Sequence, residues 1–292
     1  MRKVYAMRRL GGVVTKELVA RSVKDALALI GLFEAVMAIG GLSLTDILPV
    51  PTDFTQRVIV CFVVVAAISV ICGVRRYYGS KNGINIEIAG NEVNIIVDDL
   101  FKQDGIKLIP FNEFFDTKVD DIVISENSLN GQYVEHHANK QVLNQVISSD
   151  TKTTLPGPFE AGGRKRYPLG TIKLCEDYAL LALTHMDDFN RAYLSFDQYE
   201  QCLLNMWIEL DRVYAGKQVV IPLLGSGITR FKGQKPSEDD LLRCMLCTLS
   251  MSGCKFKSGV LIALAKNSAA RMRLYDINDY AEILNSGKGC AD

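Results

Sequence analysis

VVIPLLGSGI, at residues 219–228, is the stretch of sequence that decides the fold. Its first six residues form an unbroken apolar run rich in β-branched side chains, which is typical of a strand buried on both faces of a sheet. The glycines that follow indicate a tight turn at the carboxyl end of that strand. Because open α/β sheets bind their ligands at such ends, the stretch predicts an α/β domain with a binding loop.

The chain on either side of this stretch alternates strand and helix patterns from residue 82 onward. The main segments are a hairpin at 84–97, apolar strands at 106–110 and 121–124, a helix at 196–215, a helix that runs to about 251 and a buried strand at 259–265. Ser195 and Gln198 have the spacing of a capping box at the start of the first helix, and Ser237 and Asp240 cap the second. A hairpin followed by alternating strands and helices predicts a mixed sheet with helices on both faces.

The amino-terminal part has a different composition and predicts a membrane hairpin. Residues 58–74, VIVCFVVVAAISVICGV, hold no charge and no proline, and as a helix they would span roughly 26 Å, near the thickness of a hydrocarbon core. Residues 26–44 are a second apolar run with one charge, Glu34, and Pro49 and Pro51 lie between the two runs. We therefore predict two transmembrane helices, at about 26–44 and 58–74.

The basic residues set the expected orientation of this hairpin. They are concentrated before the first run and after the second, whereas the link between the runs holds only Arg57. The positive-inside rule then puts both termini and the large domain in the cytoplasm. Two alternatives remain, since residues 26–44 also fit a buried or interfacial helix and residues 58–74 a core helix. Glu34 either faces a partner helix or a water-filled path, or it has no function.

Composition excludes several classes of function. The formal net charge is zero, which gives no electrostatic case for nucleic acid as a partner. Cys244 and Cys247 form a CxxC with Cys254 nearby, but a structural zinc site needs a fourth ligand, so buried thiols are the simpler interpretation. The three histidines have no carboxylate or cysteine at metal or triad spacing. The sequence thus predicts neither a metal site nor a catalytic residue.

The glycine loop is the clearest candidate binding site. Main-chain N–H groups of Gly225, Ser226, Gly227 and Ile228 could hold phosphate oxygens, because glycine lets the backbone approach a ligand closely. The loop is neither a Walker A motif, which needs GK[ST], nor a Rossmann fingerprint, which needs a third glycine where the chain has arginine. A plain strand-to-helix turn is the alternative.

Three residues flank this loop and complete the candidate. Leu224 precedes the glycines, and Arg230 and Phe231 follow them. We expect Arg230 to reach a phosphate and Phe231 to cover a ribose or a base.

Three motifs, in the right order, resemble those of macro domains, the ADP-ribose-binding modules. VIPLLGSGI resembles the phosphate loop, Asp98-Asp99-Leu100-Phe101 resembles the family's Gly-Asp-Ile, and DIVISENS at 121–128 resembles D-x-I-V-N-A-A-N-S. The resemblance implies that Asp99, beside Leu100, accepts a hydrogen bond from the adenine amino group. It also implies that Asn127 faces the distal ribose. Residues 82–292 are accordingly interpreted as a macro-like nucleotide-binding domain, and residues 1–80 as the membrane hairpin.

The chain departs from the macro-domain pattern directly after Asn127. The family has a glycine-rich run there, whereas this chain reads LNGQYV at 129–134, with a single glycine, Gly131. The distal half of the pocket should therefore differ. This argues against plain ADP-ribose hydrolysis and favours a larger or modified ligand.

Two membrane helices followed by a macro domain of this sort resemble the effector family of type II Thoeris anti-phage defence. The resemblance implies that a partner TIR-domain enzyme makes a nucleotide signal, a histidine conjugate of ADP-ribose, and that the macro domain binds this signal. It further implies that the helices disrupt the lipid of the bacterial inner membrane and cause abortive infection, and we expect a homo-oligomer with no cofactor. Two other functions stay open, a membrane-anchored hydrolase of ADP-ribosylated proteins or ADP-ribose derivatives, and a scaffold with a vestigial fold.

Overall fold

The chain forms two compact units, Met1–Lys81 and Asn82–Asp292. They are seen in a computed structural model that describes residues 16–41, 53–79, 83–149 and 152–286.

The described part of the amino-terminal unit consists of two helices, α1 (Lys16–Ile39) and α2 (Phe54–Gly79). Within α2, Phe54–Arg75 contains an 18-residue window with a mean hydropathy of 2.7, and none of that window is buried, so α2 is long and apolar enough to cross a membrane. In α1, every stretch long enough to span includes Lys24, Asp25 and a third charge. The predicted span at 58–74 thus lies in a suitable helix, whereas the described helix gives no support for a span at 26–44, whose last three residues lie outside the described residues.

The two helices pack closely through small side chains. Leu18, Ser22 and Ala26 are buried and recur every four residues, which puts them on one face of α1. Gly73 of α2 meets this face, since a Cβ there would lie 3.1 Å from the Ser22 hydroxyl oxygen. The glycine therefore permits a close approach of the two backbones, as small residues do between membrane helices.

The larger unit is built on eleven strands within its described residues. Their bounds are β1 (Gly83–Ile88), β2 (Asn91–Ile96), β3 (Ile106–Asn112), β4 (Phe159–Ala161), β5 (Arg164–Arg166), β6 (Ile172–Cys175), β7 (Tyr178–Met186), β8 (Ala192–Leu194), β9 (Val219–Pro222), β10 (Arg230–Phe231) and β11 (Val260–Ala263). Nine of them form one sheet in the order β1-β2-β11-β9-β3-β7-β8-β10, with β6 also paired to β7, and β4 pairs with β5 separately.

The sheet is mixed, as the sequence predicts. Strands β2, β11, β9, β3 and β7 run parallel to one another, while β1 pairs antiparallel with β2 on one side, and β6 and β8 pair antiparallel with β7 on the other. Parallel neighbours end on the same side of the sheet, so their carboxyl ends gather along one edge.

Helices cover both faces of the sheet. They are α3 (Leu129–Gln132), α4 (Lys140–Ser148), α5 (Phe196–Val213), α6 (Glu238–Ser252), α7 (Lys266–Ala269) and α8 (Ile277–Asn285), with a π-helical turn at Tyr133–His137 and 3-10 turns at Leu100–Lys102 and Leu274–Asp276. One core cluster joins α5, α6 and α8 to the sheet around Trp207. A second, around Tyr133, Leu143 and Phe111, fills the opposite face.

Helix starts follow the predicted capping signals. Ser195 and Gln198 form a capping box at the start of α5, and Ser237 and Asp240 form another at α6. Gly253 then ends α6 with a positive φ of 71°.

The predicted strand at 121–124 is wrong. This segment makes only an isolated bridge between Val119 and Ile124. The carboxylate of Asp120 instead accepts hydrogen bonds from the main-chain N–H groups of Ile122 (3.0 Å) and Val123 (2.7 Å). Aspartate side chains that capture local amides compete with strand pairing and form turns.

Candidate functional site

A cavity of about 840 Å³ opens at the carboxyl edge of the sheet. Residues that end β3, β7, β9 and β11 line it, together with the segment after β2, the segment at 123–132 and the glycine loop. This is the position at which open α/β sheets bind ligands, and the volume is in the range of small-molecule pockets.

Eight of the ten predicted binding residues line this cavity. They are Asp99, Leu100, Asn127, Leu224, Gly225, Ser226, Gly227 and Ile228. Segments that lie far apart in the sequence therefore meet around one hollow, which reaches from Asp99 to the glycine loop.

The glycine loop packs against the domain core at Gly225 and is open to the cavity at Gly227. Gly225 has φ +79°, and a Cβ there would lie 3.1 Å from the Phe231 ring and 3.2 Å from Leu241. The Tyr199 hydroxyl donates to the Leu224 carbonyl oxygen at 3.0 Å. At Gly227, by contrast, a Cβ would meet nothing within 4 Å.

The main chain of this loop has unused donors. Within the residues that the structure describes, the N–H groups of residues 225–228 have no hydrogen-bond acceptor. The Ser226 hydroxyl donates to the Leu223 carbonyl oxygen at 2.7 Å, which tightens the turn. Successive free main-chain amides of this kind are suited to anion binding.

The structure does not bring Arg230 and Phe231 to the cavity. They form β10, which pairs in parallel with β8, and this pairing directs them away from the hollow. Phe231 is half-buried beneath Gly225, with its ring centroid 5.6 Å from that of Tyr199. The ring thus supports the loop from below instead of covering a ligand, and the Arg230 side chain is exposed.

Charged residues lie at the Asp99 end of the cavity. Asp99 accepts a hydrogen bond from the main-chain N–H of Phe101 at 3.0 Å, which caps the 3-10 turn. The main-chain N–H of Asp99 donates to Asp98 at 2.8 Å and lowers the pKa of the Asp98 carboxyl. Lys102 and Lys266 also line this end. Sequence reasoning missed both lysines, although Lys266 comes three residues after β11 and Lys102 ends the 3-10 turn that follows β2.

Neutral polar side chains line the other end of the cavity. They include Asn112, Asn127, Asn130 and Thr184. The Asn112 amide is bonded within the protein, since its oxygen accepts from the Phe114 N–H at 3.0 Å and its nitrogen donates to Asp116 at 2.9 Å. Asn130 lies within the LNGQYV segment, yet its burial could not be read from the sequence.

A buried ion cluster lies behind this neutral end. Glu113 follows Asn112, and its side chain is 1% exposed. Arg166 contacts both carboxylate oxygens of Glu113 at 2.7 Å, His185 Nδ1 lies 2.6 Å away, and the Met186 N–H donates at 3.1 Å. Burial would raise the pKa of Glu113, but the hydrogen bonds from His185 and Arg166 outweigh it and lower the pKa.

The cysteine motif lies apart from this cavity. Cys244 is buried on α6, and burial raises the pKa of its thiol to about 12. Among the described residues, no group of three or more His, Cys, Asp or Glu side chains could hold a metal ion.

Comparison with known proteins identifies the family. The family described as Thoeris protein ThsA, Macro domain, matches residues 93–263. Thoeris protein ThsA of Bacillus amyloliquefaciens (strain Y2) is 37% identical over 211 residues, which cover 68% of this chain and 71% of the relative.

Solved structures give weaker likenesses. The Oceanobacillus iheyensis macrodomain with ADP is 12% identical, with a TM-score of 0.44 over 70% of this chain and 97% of the other. The same macrodomain with MES bound is 12% identical, with a TM-score of 0.43 over 70% and 98%. The family assignment therefore rests on the two sequence matches. The matched macro domain, residues 93–263, lies in the larger of the two units of this chain. These two matches show that the chain belongs to the Thoeris ThsA family.

Proposed function

We propose that this chain is a membrane effector of anti-phage defence that binds an ADP-ribose-derived nucleotide through its macro domain. The observation that carries the proposal is the continuous cavity between Asp99 and the glycine loop, where the N–H groups of residues 225–228 have no acceptor among the described residues. A nucleoside diphosphate has the anionic centre that such main-chain N–H groups bind.

Each part of the ligand has a candidate partner in this proposal. The diphosphate binds the amides of the glycine loop, the adenine amino group donates to Asp99, and the distal ribose faces Asn127. The signal is a derivative of ADP-ribose, such as its histidine conjugate, made by a partner TIR-domain enzyme. Family membership supports this partner, because Thoeris is the system named for the relatives.

The membrane step follows from the amino-terminal unit. Large apolar side chains stay exposed on both helices, among them Leu32 (64%) and Val36 (60%) of α1 and Phe62 (78%) and Val70 (65%) of α2. Lipid or further copies of the chain would cover these faces in a multi-pass homo-oligomer of the inner membrane, with both termini in the cytoplasm. Ligand binding would change how the helices associate, to the extent that the ligand prefers one state. The membrane is then disrupted and the infected cell stops growing.

The proposal is for binding without catalysis. Among the described residues that line the neutral end, none is a carboxylate or a histidine. The nearby Glu113 is already bound by Arg166 and His185, so it is not free to activate water. The alternative is a membrane-anchored hydrolase of ADP-ribosylated proteins or of ADP-ribose derivatives.

One experiment tests these functions together. The full chain is reconstituted in dye-loaded liposomes of bacterial inner-membrane lipid, and ADP-ribose or its base-exchanged derivatives are added. Tight binding with dye release and without turnover is the expected result. Multiple turnovers would favour the hydrolase, and the absence of any binding would refute the nucleotide site.

A further inference from the structure

A second hollow lies between helices α5 and α6 of the larger unit. It has a volume of about 680 Å³, and we call it the α5–α6 groove. One wall is formed by Phe196, Glu200 and Leu204 of α5, and the other by Arg243, Cys247 and Met251 of α6. Among the described residues, none lines both this groove and the nucleotide cavity. The nucleotide site therefore does not account for the groove.

Large apolar side chains stay exposed along this groove. Phe196 is 38% exposed at the start of α5, and Met251 is 59% exposed near the end of α6. Ile208, one turn after the lining residue Leu204, is 43% exposed. A group of exposed apolar residues along one surface is typical of an interaction site. Aromatic and methionine side chains are also enriched in protein–protein interfaces.

The groove also holds charged residues that have no partner. Asp240 is bonded to Ser237 in the capping box of α6. Glu200, Lys235 and Arg243, by contrast, form no ion pair with any residue that the structure describes. The Nε of Arg243 is buried without a hydrogen-bond acceptor among those residues. Charged groups in a groove that is partly shielded from water favour a partner that supplies the opposite charge.

Glu200 and Arg243 lie at a similar height on opposite walls of the groove. Burial raises the pKa of the Cys244 thiol to about 12, and the nearby Glu200 carboxylate adds to this effect, so Glu200 is close to the turn of α6 that carries Arg243. The Arg243 guanidinium lies over the Tyr280 ring, 5.4 Å from its centroid, which keeps it on the α6 side. Within one copy of the chain the two charges therefore face the same groove without pairing.

A two-fold axis through the groove would turn this pattern into complementary contacts. Rotation by 180° lays the α5 wall of one copy on the α6 wall of the other, because an isologous interface uses the same patch on both copies. Since Glu200 and Arg243 lie at similar heights, each glutamate would meet the arginine of the other copy. Phe196 of one copy would approach Met251 of the other, as sulfur and aromatic groups favourably do.

We propose that the α5–α6 groove is the surface through which two copies of this chain associate, with Glu200 of each copy paired to Arg243 of the other. The inference rests on the proposed function for its membrane anchor, and it gives the homo-oligomer of that function a specific interface. Copies held in one membrane have a high effective concentration, so an interface of modest affinity is sufficient.

Cross-linking at Cys247 tests whether two grooves meet. Cys247 is half-buried in the groove, one turn after Arg243, and so lies close to the proposed axis. The full chain in detergent micelles, with Cys61, Cys72 and Cys290 replaced by serine, is treated with a bismaleimide with and without ADP-ribose; the other cysteines are buried. A covalent dimer on a denaturing gel is expected in at least one of the two conditions, and Cys247→Ser in the same background should remove it.

Charge reversal then tests the proposed pairing. Glu200→Arg and Arg243→Glu each place like charges opposite one another, so each should raise the protein concentration needed for half-maximal cross-linking about tenfold or more. The double variant restores opposite charges and should return to within about threefold of the parent. Glu135→Arg is the matched control, since Glu135 is exposed, pairs with Lys140 and does not line the groove. It should cross-link as the parent does.

The outcomes separate this inference from the nucleotide site. Glu200 is exposed and has no partner among the described residues, so Glu200→Arg is informative even if Arg243→Glu is unstable. No cross-link in either condition, or a cross-link that Glu200→Arg leaves unchanged, would overturn the proposal. Calorimetric titration of the same protein with ADP-ribose reports the nucleotide site independently. Charge-dependent cross-linking without nucleotide binding would refute that site and support the groove, whereas binding without cross-linking would do the reverse.

Discussion

Replacing Gly227 by glutamate tests the phosphate-binding role of the glycine loop most directly. A Cβ at this position meets nothing within 4 Å, and the backbone is not in the left-handed region, so a side chain can be added without strain. Gly227 lines the cavity next to the free amides. The substitution therefore adds a negative charge to the proposed diphosphate site and leaves the fold unchanged.

The size of the effect follows from Coulomb's law. A carboxylate about 6 Å from one phosphate charge is repelled by about 0.7 kcal/mol at the dielectric constant of water and by about 3 kcal/mol at an effective value of 20. An intermediate loss of about 2 kcal/mol corresponds to roughly 30-fold weaker binding. Salt should reduce the loss, because the Debye length is about 8 Å at physiological ionic strength and shorter above it.

Calorimetric titration of the full chain with ADP, at low and at high salt, measures this effect. Gly227→Gln has the same length without the charge and should stay within a few-fold of the wild type. Gly227→Lys should bind at least as tightly as the wild type. If the glutamate and glutamine variants bind equally well at low salt, the diphosphate does not lie on this loop and the site assignment is wrong.

Three further predictions concern single side chains. Asp99→Asn keeps an oxygen for the Phe101 cap, so its melting temperature should match the wild type, whereas its ADP affinity should fall about tenfold or more in the same titration because a charged acceptor is lost. Glu113→Gln should lower the free energy of unfolding by about 3 kcal/mol at pH 7. The folded pKa of Glu113 lies below its ordinary value of 4.5, so the difference in stability between the variant and the wild type should shrink as the pH falls through that folded pKa. Denaturant titrations over this pH range measure the difference, and a value that does not change with pH would contradict the prediction. The Cys244 thiol, with its pKa raised to about 12, should resist iodoacetamide at pH 8 until the protein is unfolded, which mass spectrometry of the labelled peptides detects.

Local signals predicted the parts of the fold that local interactions determine. Capping residues at Ser195 and Ser237 predicted where α5 and α6 begin, because a cap acts within one helical turn. The apolar run at 219–224 predicted the buried strand β9 in the same way.

The errors arose where distant segments decide the outcome. The position of Phe231 just after the glycine loop predicts that it covers a ligand, but β10 pairs with β8 and the Phe231 ring packs beneath Gly225. Asn130 escapes sequence analysis because its burial depends on how α3 packs against the distant strand β3, which no local pattern around it reveals. The segment at 121–124 has the apolar pattern of a strand, but the Asp120 carboxylate accepts hydrogen bonds from two of its main-chain N–H groups and a turn forms instead.

The capping bond of Asp99 has a consequence for how the cavity meets its ligand. One carboxylate oxygen already accepts the Phe101 N–H, which restrains the side chain before any nucleotide binds. A receptor group that is ordered in advance adds little entropic cost at the moment of association. The ligand should therefore bind at this end without rearrangement of Asp99. Any conformational change that transmits binding to the rest of the chain must begin in another part of the cavity.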